Sequence, residues 1–518
     1  MERWFPHMAP LIGKVKHKLQ VLSTYDWIFG FVLLSVSFLS FYKLGSMIFN
    51  NDAHFWYERT FNFIEALKKF DFAGTYQNPK PGITIMWLSG LSTEAFFTLY
   101  KGIFGFRPHL YTTDTFSYIH FAARAPLVLL NLGFLVFFYM KVKKLFCEKT
   151  ALFASILLGF QPFFIATSRI FHADSTLTVF MGISALLLVD YLVNRQKDSR
   201  LILSGIFGGL AVLTKLSGVF LLPYSALLLI IYARVYKKAV PLYIKRLSIW
   251  IGSMLATFFV LFPAMWVKPL VTLNRLYLEA FTLTGSGRDG ISPFHHYLEI
   301  FPDFITPVLL VLVLVSIFCL SIRRHEGGKA RLAENFLVQA VVVFIFFYLL
   351  QMSVVSQKMP RYLVPLFPFL SIIAGFGLSR LFKIASKRIH IWLILVFLVI
   401  NLLPIISYFP HYAFYVNEPG RDSFDCSLCS EVGSYINNME DTPEFNVLID
   451  SINPQRFRPF IKGTVISQEE LNAFESYEYV IMDSQGSEDS YINCSTLKEF
   501  TFKSLTYWEV LECNNSDL

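Results

Sequence analysis

Charge is scarce in this sequence. Of its 518 residues only 16% are Asp, Glu, Lys or Arg, against about a quarter in ordinary soluble domains. That shortage excludes a disordered chain and a free soluble enzyme. Cysteine is scarce as well: six residues are too few for a scaffold built from disulfides. No internal repeat and no low-complexity segment breaks the chain. There is no Walker loop, no His-Glu-x-x-His helix and no Gly-x-Ser-x-Gly elbow, so the common signatures of nucleotide, zinc-protease and serine-hydrolase chemistry are missing.

What is present is apolar. The chain is 54% hydrophobic and 17% aromatic, more than a soluble surface can hide, and reads as an α-helical polytopic membrane protein. The formal net charge of +8 does not call for nucleic acid, because a membrane chain uses Lys and Arg to fix its topology. Asp26 to Phe49 is a long apolar run behind a basic stretch and has no small-residue cleavage site, so it reads as a retained first span.

A spanning helix needs about 20 mostly apolar residues. Eleven segments qualify: 27–48, 119–140, 150–168, 175–194, 201–215, 218–234, 247–267, 304–322, 335–353, 362–382 and 391–409. The short connections Lys14–Lys18, Lys141–Lys149, Arg195–Arg200, Arg234–Arg246, Arg323–Arg331 and Lys383–Arg388 are basic, and eleven spans put them all on one side. The positive-inside rule makes that side cytoplasmic. Residues 1–26 are then a cytoplasmic N-terminus, 27–409 the membrane domain, and 410–518 an outer domain. The run Ile83–Tyr100 would make a twelfth span but would invert every later loop. It is expected instead as a helix lying on or dipping into the outer surface, within a long first outer loop, 49–118.

Two other outer pieces are larger than connection requires, the loop 268–303 and the tail 410–518. The tail is acidic. It shows strand-like runs at Phe445–Asp450, Tyr479–Asp483 and Tyr507–Cys513, and a capping-box signal from Ser467 to Glu470, which together suggest a small α/β domain. Cys426, Cys429, Cys494 and Cys513 all lie in it, where disulfides are plausible and the pairing is open. Cys147 and Cys319 read as apolar fillers near the other face.

Chemistry is suggested at helix ends. Asp52 and His54 follow the first span, the third ends in Ser168-Arg169-Ile170-Phe171-His172-Ala173-Asp174, the fifth in Lys215, and the tenth opens with Lys358-Met359-Pro360-Arg361. Ionisable groups there are costly and point to function when they converge. Two acids and several cations at one face suit a sugar carried on a lipid phosphate. Cations would hold the phosphate and stabilise the charge left on it, and a carboxylate would take the proton of an attacking hydroxyl. A solute carrier would instead place charge near the midplane, between repeated halves. His295 and His296 read as interfacial polar residues, and Trp56, Trp87 and Trp266 as an aromatic belt. The sequons Asn493-Cys494-Ser495 and Asn514-Asn515-Ser516 matter only in a host that glycosylates there.

The segments NDAHFWYERTFNFIEAL (51–67), TYQNPKPGITIMWL (75–88), SRIFHADSTLTVF (168–180), GGLAVLTKLSGVFLLP (208–223), FPAMWVKPLVTL (262–273), KMPRYLVPLFPFL (358–370) and HYAFYVNEPG (411–420) together resemble the GT-C superfamily of lipid-carrier-dependent glycosyltransferases. That superfamily includes protein O-mannosyltransferases and aminoarabinose transferases of lipid A. The resemblance covers nearly the whole chain. It implies a GT-C-type membrane domain with a small C-terminal extracytoplasmic α/β domain, a polyprenyl-phosphate sugar donor (mannose-like, or another hexose or pentose), and inversion at the anomeric carbon. The acceptor would be a glycan, lipid or protein, and the setting the inner membrane of a prokaryote. By position Asp52 matches the general base and Asp174 the acid of the second outer loop. Lys80 matches a Lys or His that meets the phosphate, with Lys215 and Arg361 as further contacts. Lys80, His54, Arg169, His172, Lys215, Lys358 and Arg361 form the expected substrate-binding set. Two departures stand out. Ala53 replaces the family's second acid, whose role is vacant or falls to Glu58. Pro79 replaces a carboxylate that helps hold metal in the aminoarabinose-type relatives, so no metal and no cofactor are expected.

Overall fold

The structure, a computed structural model, describes residues 23–46, 52–109, 113–194, 198–237, 240–284, 295–297, 299–300, 305–322, 329–355, 358–381, 387–411, 428–440, 445–450, 457–458, 460–467, 470, 477–483, 494–502 and 505–513. Helices α1 (Thr24–Phe41), α2 (Ala53–Lys68), α3 (Ile83–Phe104), α4 (Thr113–Leu145), α5 (Glu148–Gly159), α6 (Pro162–Arg169), α7 (Ala173–Asn194) and α8 (Ser199–Thr214) come first. They are followed by α9 (Leu221–Val235), α10 (Val240–Leu261), α11 (Pro269–Thr284), α12 (Pro307–Ile322), α13 (Lys329–Val354), α14 (Phe367–Leu381) and α15 (Lys387–Tyr408). Each of the eleven expected apolar segments falls on this helical framework. Seven of the described helical stretches are long and apolar enough to cross a membrane, or eight if a bent pair is one span; three shorter apolar helices coincide with the remaining segments. The chain is an integral, multi-pass helical membrane protein.

The bent pair replaces the continuous helix expected over 150–168. α5 and α6 meet at 62° around Gln161, and Pro162, which has no N–H to donate, sits at the start of α6. The second span is longer than expected, running over α4 from Thr113 to Leu145. α1 begins with a capping box in which Ser23 and Asp26 each bind the other's backbone N–H.

α7 is buried along nearly its whole length and is apolar all round, which makes it the axis of the bundle. Small residues let neighbours approach it and one another. Gly205 and Gly209 on α8 lie against the α10 backbone at Trp250 and Met254, and the Trp250 indole donates to Ser204 Oγ at 2.9 Å. Gly375 on α14 meets the α5 backbone at Thr150 and Ala154.

α3 is not among the helices able to cross a membrane. One side packs on α2, where Gly90 nests against Ile64 and Thr60, while Leu91, Leu99 and Ile103 are exposed. Near its start the Trp87 indole donates to Leu261 O, at the end of α10.

The C-terminal domain holds α16 (Cys429–Asn437) and strands β1 (Asn446–Asp450), β2 (Thr464–Ser467), β3 (Tyr479–Asp483), β4 (Cys494–Phe502) and β5 (Leu505–Cys513). The sheet order is β2-β1-β3-β5-β4, parallel from β2 to β3 and antiparallel beyond. Alternation along β1 sends Val447 and Ile449 into a core with Val432 and Ile436 of α16, and Leu448 into a second cluster on the opposite face. Cys494 and Cys513 form a disulfide between registered positions of β4 and β5. Cys429 is also disulfide-bonded, and Cys426 lies outside the described residues. Glu470 accepts the Ser467 N–H at 3.0 Å, half of the expected capping box, while most of the helix expected after it lies outside the described residues. Cys147 is exposed at the N-cap of α5, not an apolar filler.

Because helices alternate in direction, their charged ends collect in two layers. One layer holds the α4 end, the α5 start, the α7 end and the α8 start. The other holds the α6 end, the α7 start, the α8 end and the turn before α14. The second layer carries the candidate site.

Candidate active site

Asp52 is the N-cap residue of α2, yet its side chain makes no cap hydrogen bond. Its Oδ2 instead accepts from Arg361 Nη2 at 3.2 Å and lies 3.3 Å from His172 Nε2. His172 Nδ1 faces Asp174 Oδ2 at 2.9 Å, so one imidazole stands between two carboxylates. Asp174, in the first turn of α7, also receives Lys215 Nζ on Oδ1 at 2.6 Å, with Arg361 Nε 3.6 Å from Oδ2. Exposure separates the two acids: the Asp52 side chain is 38% accessible and that of Asp174 only 1%. An incoming group can reach Asp52, while Asp174 is the buried anchor for the cations.

Local structure explains how each side chain arrives. Lys215 caps the end of α8 in an extended conformation, which turns it out of the helix, and its Nζ lies 3.9 Å from the centre of the Tyr362 ring. Arg361 and Tyr362 sit in a 3-10 turn, Pro360–Leu366, opened by Pro360. Tyr348 donates its hydroxyl to Tyr362 O at 2.9 Å, and Tyr297 bonds both the N–H and the carbonyl of Met359, at 3.3 and 3.4 Å. Two tyrosines therefore hold this turn from different elements. Neither carried a sequence signal that set it apart from the chain's other tyrosines.

The Lys80-Pro81-Gly82 loop is fastened to the same end of α8. Gly82 N–H donates to Thr214 O at 3.2 Å, and the Thr84 and Thr214 hydroxyls are 2.6 Å apart. Gly82 has φ +60°, and a Cβ there would overlap the Trp56 ring. Gly82→Ala is therefore expected to cost about 1–3 kcal/mol and to lower activity by moving Trp56. A thermal midpoint and a transfer rate equal to wild type would contradict this.

Trp56 does not belong to a membrane belt. It is 4% exposed and meets the His172 ring edge-on, with centroids 5.8 Å apart. Arg59, one turn further along α2, lies over its outer face at 5.2 Å. Trp87 is half-buried, whereas Trp266 is 45% exposed.

The remaining expected residues fall elsewhere. Lys80 is exposed at the edge and takes no part in the Asp52–Asp174 cluster; its backbone N–H is held by Asn78. The His54 ring lies against Phe55. Arg169 is fully buried and gives its guanidinium to backbone carbonyls, Tyr42 O at 2.5 Å and Pro410 O at 3.2 Å, tying the end of α6 to α1 and to the segment that follows α15. Lys358 is buried and donates to Val355 O at 2.9 Å; burial lowers its pKa. Glu58 is exposed on α2.

The hydrogen bond from His172 holds the Asp52 carboxyl far below the usual carboxylate range. The positive charges of His172 and Arg361 act in the same direction, and partial burial opposes them. The sign follows: a depressed folded pKa means the favourable pairing of Asp52 is complete above the ordinary carboxylate value near about 4 and is lost only as pH falls toward the lower folded value. Activity is expected to show no acid limb from Asp52 between about pH 5 and 8. A limb in that window that disappears in Asp52→Asn would contradict the assignment.

Residues 111–266 match the family model described as dolichyl-phosphate-mannose-protein mannosyltransferase, a stretch that includes His172, Asp174 and Lys215. An uncharacterized protein of Aquifex aeolicus (strain VF5) is 26% identical over 256 residues, 48% of this chain and 47% of that protein. The chain thus spans about half the length of the curated relative it matches. Among solved structures, ArnT from Cupriavidus metallidurans bound to undecaprenyl phosphate superposes with a TM-score of 0.54 at 14% identity, covering 94% of this chain and 98% of that one. Its apo state gives 0.51 at 15% identity, covering 94% and 97%. At such identities the likeness is one of fold. That fold, with the family match across α4 to α10, supports the GT-C superfamily expected from the motifs.

Proposed function

We propose that this protein is a membrane glycosyltransferase. It moves a sugar from a polyprenyl-phosphate carrier to a hydroxyl or amine of a glycan, lipid or protein acceptor on the extracytoplasmic side. The observation that carries the reading is the single cluster Asp52–His172–Asp174–Lys215–Arg361, drawn from four distant segments to one end of the bundle. It combines an accessible carboxylate with cations already gathered for an anion, as the departure of a sugar from a phosphate requires.

The reaction we infer is a single displacement. The acceptor oxygen or nitrogen attacks the anomeric carbon as its proton passes to the Asp52 carboxylate. The bond from that carbon to the phosphate oxygen breaks, and the electron pair leaves with the lipid phosphate. Lys215 and Arg361 meet the charge that develops there, and Lys80, exposed on its loop outside the cluster, is a further contact for the phosphate. His172 fixes the Asp52 carboxylate, and Asp174 holds both cations in place before the donor arrives. Inversion at the anomeric carbon follows from one displacement.

The test is release of radiolabel from a panel of purified polyprenyl-phosphate sugars, scored with and without acceptor extracts. Acceptor-stimulated transfer of one sugar is the expected result. Uptake of an unmodified solute into vesicles, with no covalent product, would overturn the reading in favour of a carrier. Lys215→Ala and Arg361→Ala should each weaken donor binding by about tenfold or more, because each removes a charge-assisted contact. Unchanged donor affinity in both would remove the phosphate assignment.

Metal is proposed to be dispensable, since Pro79 stands where related sequences carry a carboxylate. Transfer should survive a chelator at full rate. Loss on chelation, with recovery on adding a divalent cation, would contradict this. By the distribution of basic loops we further propose a cytoplasmic N-terminus, an outer C-terminal domain and the inner membrane of a prokaryote.

A further inference from the structure

The opposite end of the bundle gathers cations with no role in this chemistry. Asp190, at the end of α7, has a fully buried side chain, and three cations converge on it from two other helices. Lys141 Nζ lies at 2.7 Å and Lys144 Nζ at 3.0 Å, both from α4, and Arg200 of α8 completes the ring. Asn194 adds a fourth donor at 2.7 Å. One carboxylate cannot neutralise three cations. The side chains of Lys141, Lys144 and Arg200 are 17%, 39% and 27% exposed, so their remaining donors face outward.

Arg246 of α10 extends the patch. Its guanidinium stacks on Tyr243 and Tyr191, at 4.7 and 5.5 Å, and forms no ion pair among the described residues. Asp198, a further acid at this end, accepts the Tyr191 hydroxyl at 3.2 Å. The result is a basic cluster at the helix ends, flanked by apolar side chains. Met140 beside Lys141, Ile202 and Leu203 beyond Arg200, and Ile244 near Arg246 are 63%, 41%, 44% and 61% exposed.

We propose that this cluster binds the headgroup of an anionic phospholipid. The phosphate accepts from Lys144, Arg200 and Arg246, while the acyl chains lie along Met140, Ile202, Leu203 and Ile244. Basic pockets between membrane helices recognise such headgroups through charge-assisted donors in a partly desolvated setting. Inorganic phosphate offers the same oxygens but gains nothing from the apolar flank, which is why the lipid is the occupant. Asp190 is the preorganising element: it spaces the cations and lowers the cost of holding them together. The site lies at the other end of the bundle from the Asp52 cluster and does not depend on the reaction proposed for it.

The experiment uses the full-length protein in detergent. Native mass spectrometry counts retained lipid and thermal unfolding reads stabilisation, during titration with phosphatidylglycerol, phosphatidylcholine or inorganic phosphate. Wild type should retain phosphatidylglycerol in preference to phosphatidylcholine. The Lys144→Gln/Arg200→Gln double variant leaves Lys141 and Asn194 on Asp190 and should bind phosphatidylglycerol about tenfold more weakly. Lys144→Gln alone should show about a threefold loss, which keeps the test open if the double variant folds poorly. Lys101→Gln, at the end of α3, should match wild type and controls for general loss of positive charge. Equal retention of the two lipids, or an unchanged phosphatidylglycerol affinity in Lys144→Gln, would leave the cluster a purely structural tie and overturn the proposal. Inorganic phosphate binding as tightly as the lipid would overturn the choice of occupant.

Discussion

Replacing Asp52 with Asn is expected to reduce sugar transfer by about 10³-fold, equivalent to about 4 kcal/mol of transition-state stabilisation, while donor binding changes little. The substitution keeps the size and the hydrogen-bonding shape of the side chain. It removes the negative charge that draws the acceptor proton, and with it the only accessible acid of the cluster among the described residues. Asp174 is too deeply buried to take over, and both of its oxygens already face His172, Lys215 and Arg361. Fold and stability should survive, since the amide that replaces the carboxylate can still face His172 and Arg361 from the N-cap of α2. The separation of kcat from donor affinity is the informative quantity: a group acting only as proton acceptor lowers kcat and leaves binding nearly intact.

Asp174→Ala should act in a different way. Here the expected result is loss of structure as well as loss of rate, about 3 kcal/mol of stability. Lys215, Arg361 and His172 would be left facing one another around a missing carboxylate in a buried setting. Removing one of the repelling cations should relieve part of that cost. The double variant Asp174→Ala/Lys215→Ala should therefore be more stable than the sum of its single variants implies, by about 1 kcal/mol or more in a double-mutant cycle. Thermal unfolding in detergent measures this directly. A wild-type melting temperature for Asp174→Ala would mean that the cations do not rely on Asp174, and the preorganisation argument would fail.

Much of this architecture was legible in the sequence because a bilayer leaves few solutions. Long apolar runs with basic connections fix helices and their alternation, and alternation brings helix ends together without any tertiary information. The break at Gln161-Pro162 was hidden, since the apolar run continues through it. In the C-terminal domain β1, β3 and β5 were visible as apolar stretches. β4 was not: in Cys494–Phe502 the adjacent polar pairs Ser495-Thr496 and Lys498-Glu499 break the period-two alternation of this edge strand. β2 is only four residues long and gives little periodicity to read.

The site was legible as residue types at helix ends, but not as a set of contacts. Arg169 and Lys358 have the same chemistry and the same kind of location as Arg361, yet they donate to backbone carbonyls. Nothing local in the sequence separates a cation that meets a carboxylate 309 positions away from one that meets a nearby carbonyl. Trp56 illustrates the reverse error. Its place beside a membrane suggested a belt, and only the close passage of Gly82 reveals it as a wall of the site. His172 could be placed in the set but not between two acids, because that requires α2 and α7 to meet.

Side-by-side binding and turnover of one radiolabelled polyprenyl-phosphate sugar by wild type, Asp52→Asn and Lys215→Ala tests the central claim most directly. The account predicts that Asp52→Asn holds the donor with near wild-type affinity and does not transfer it, and that Lys215→Ala loses affinity together with rate. Turnover by Asp52→Asn at the wild-type rate would contradict the account.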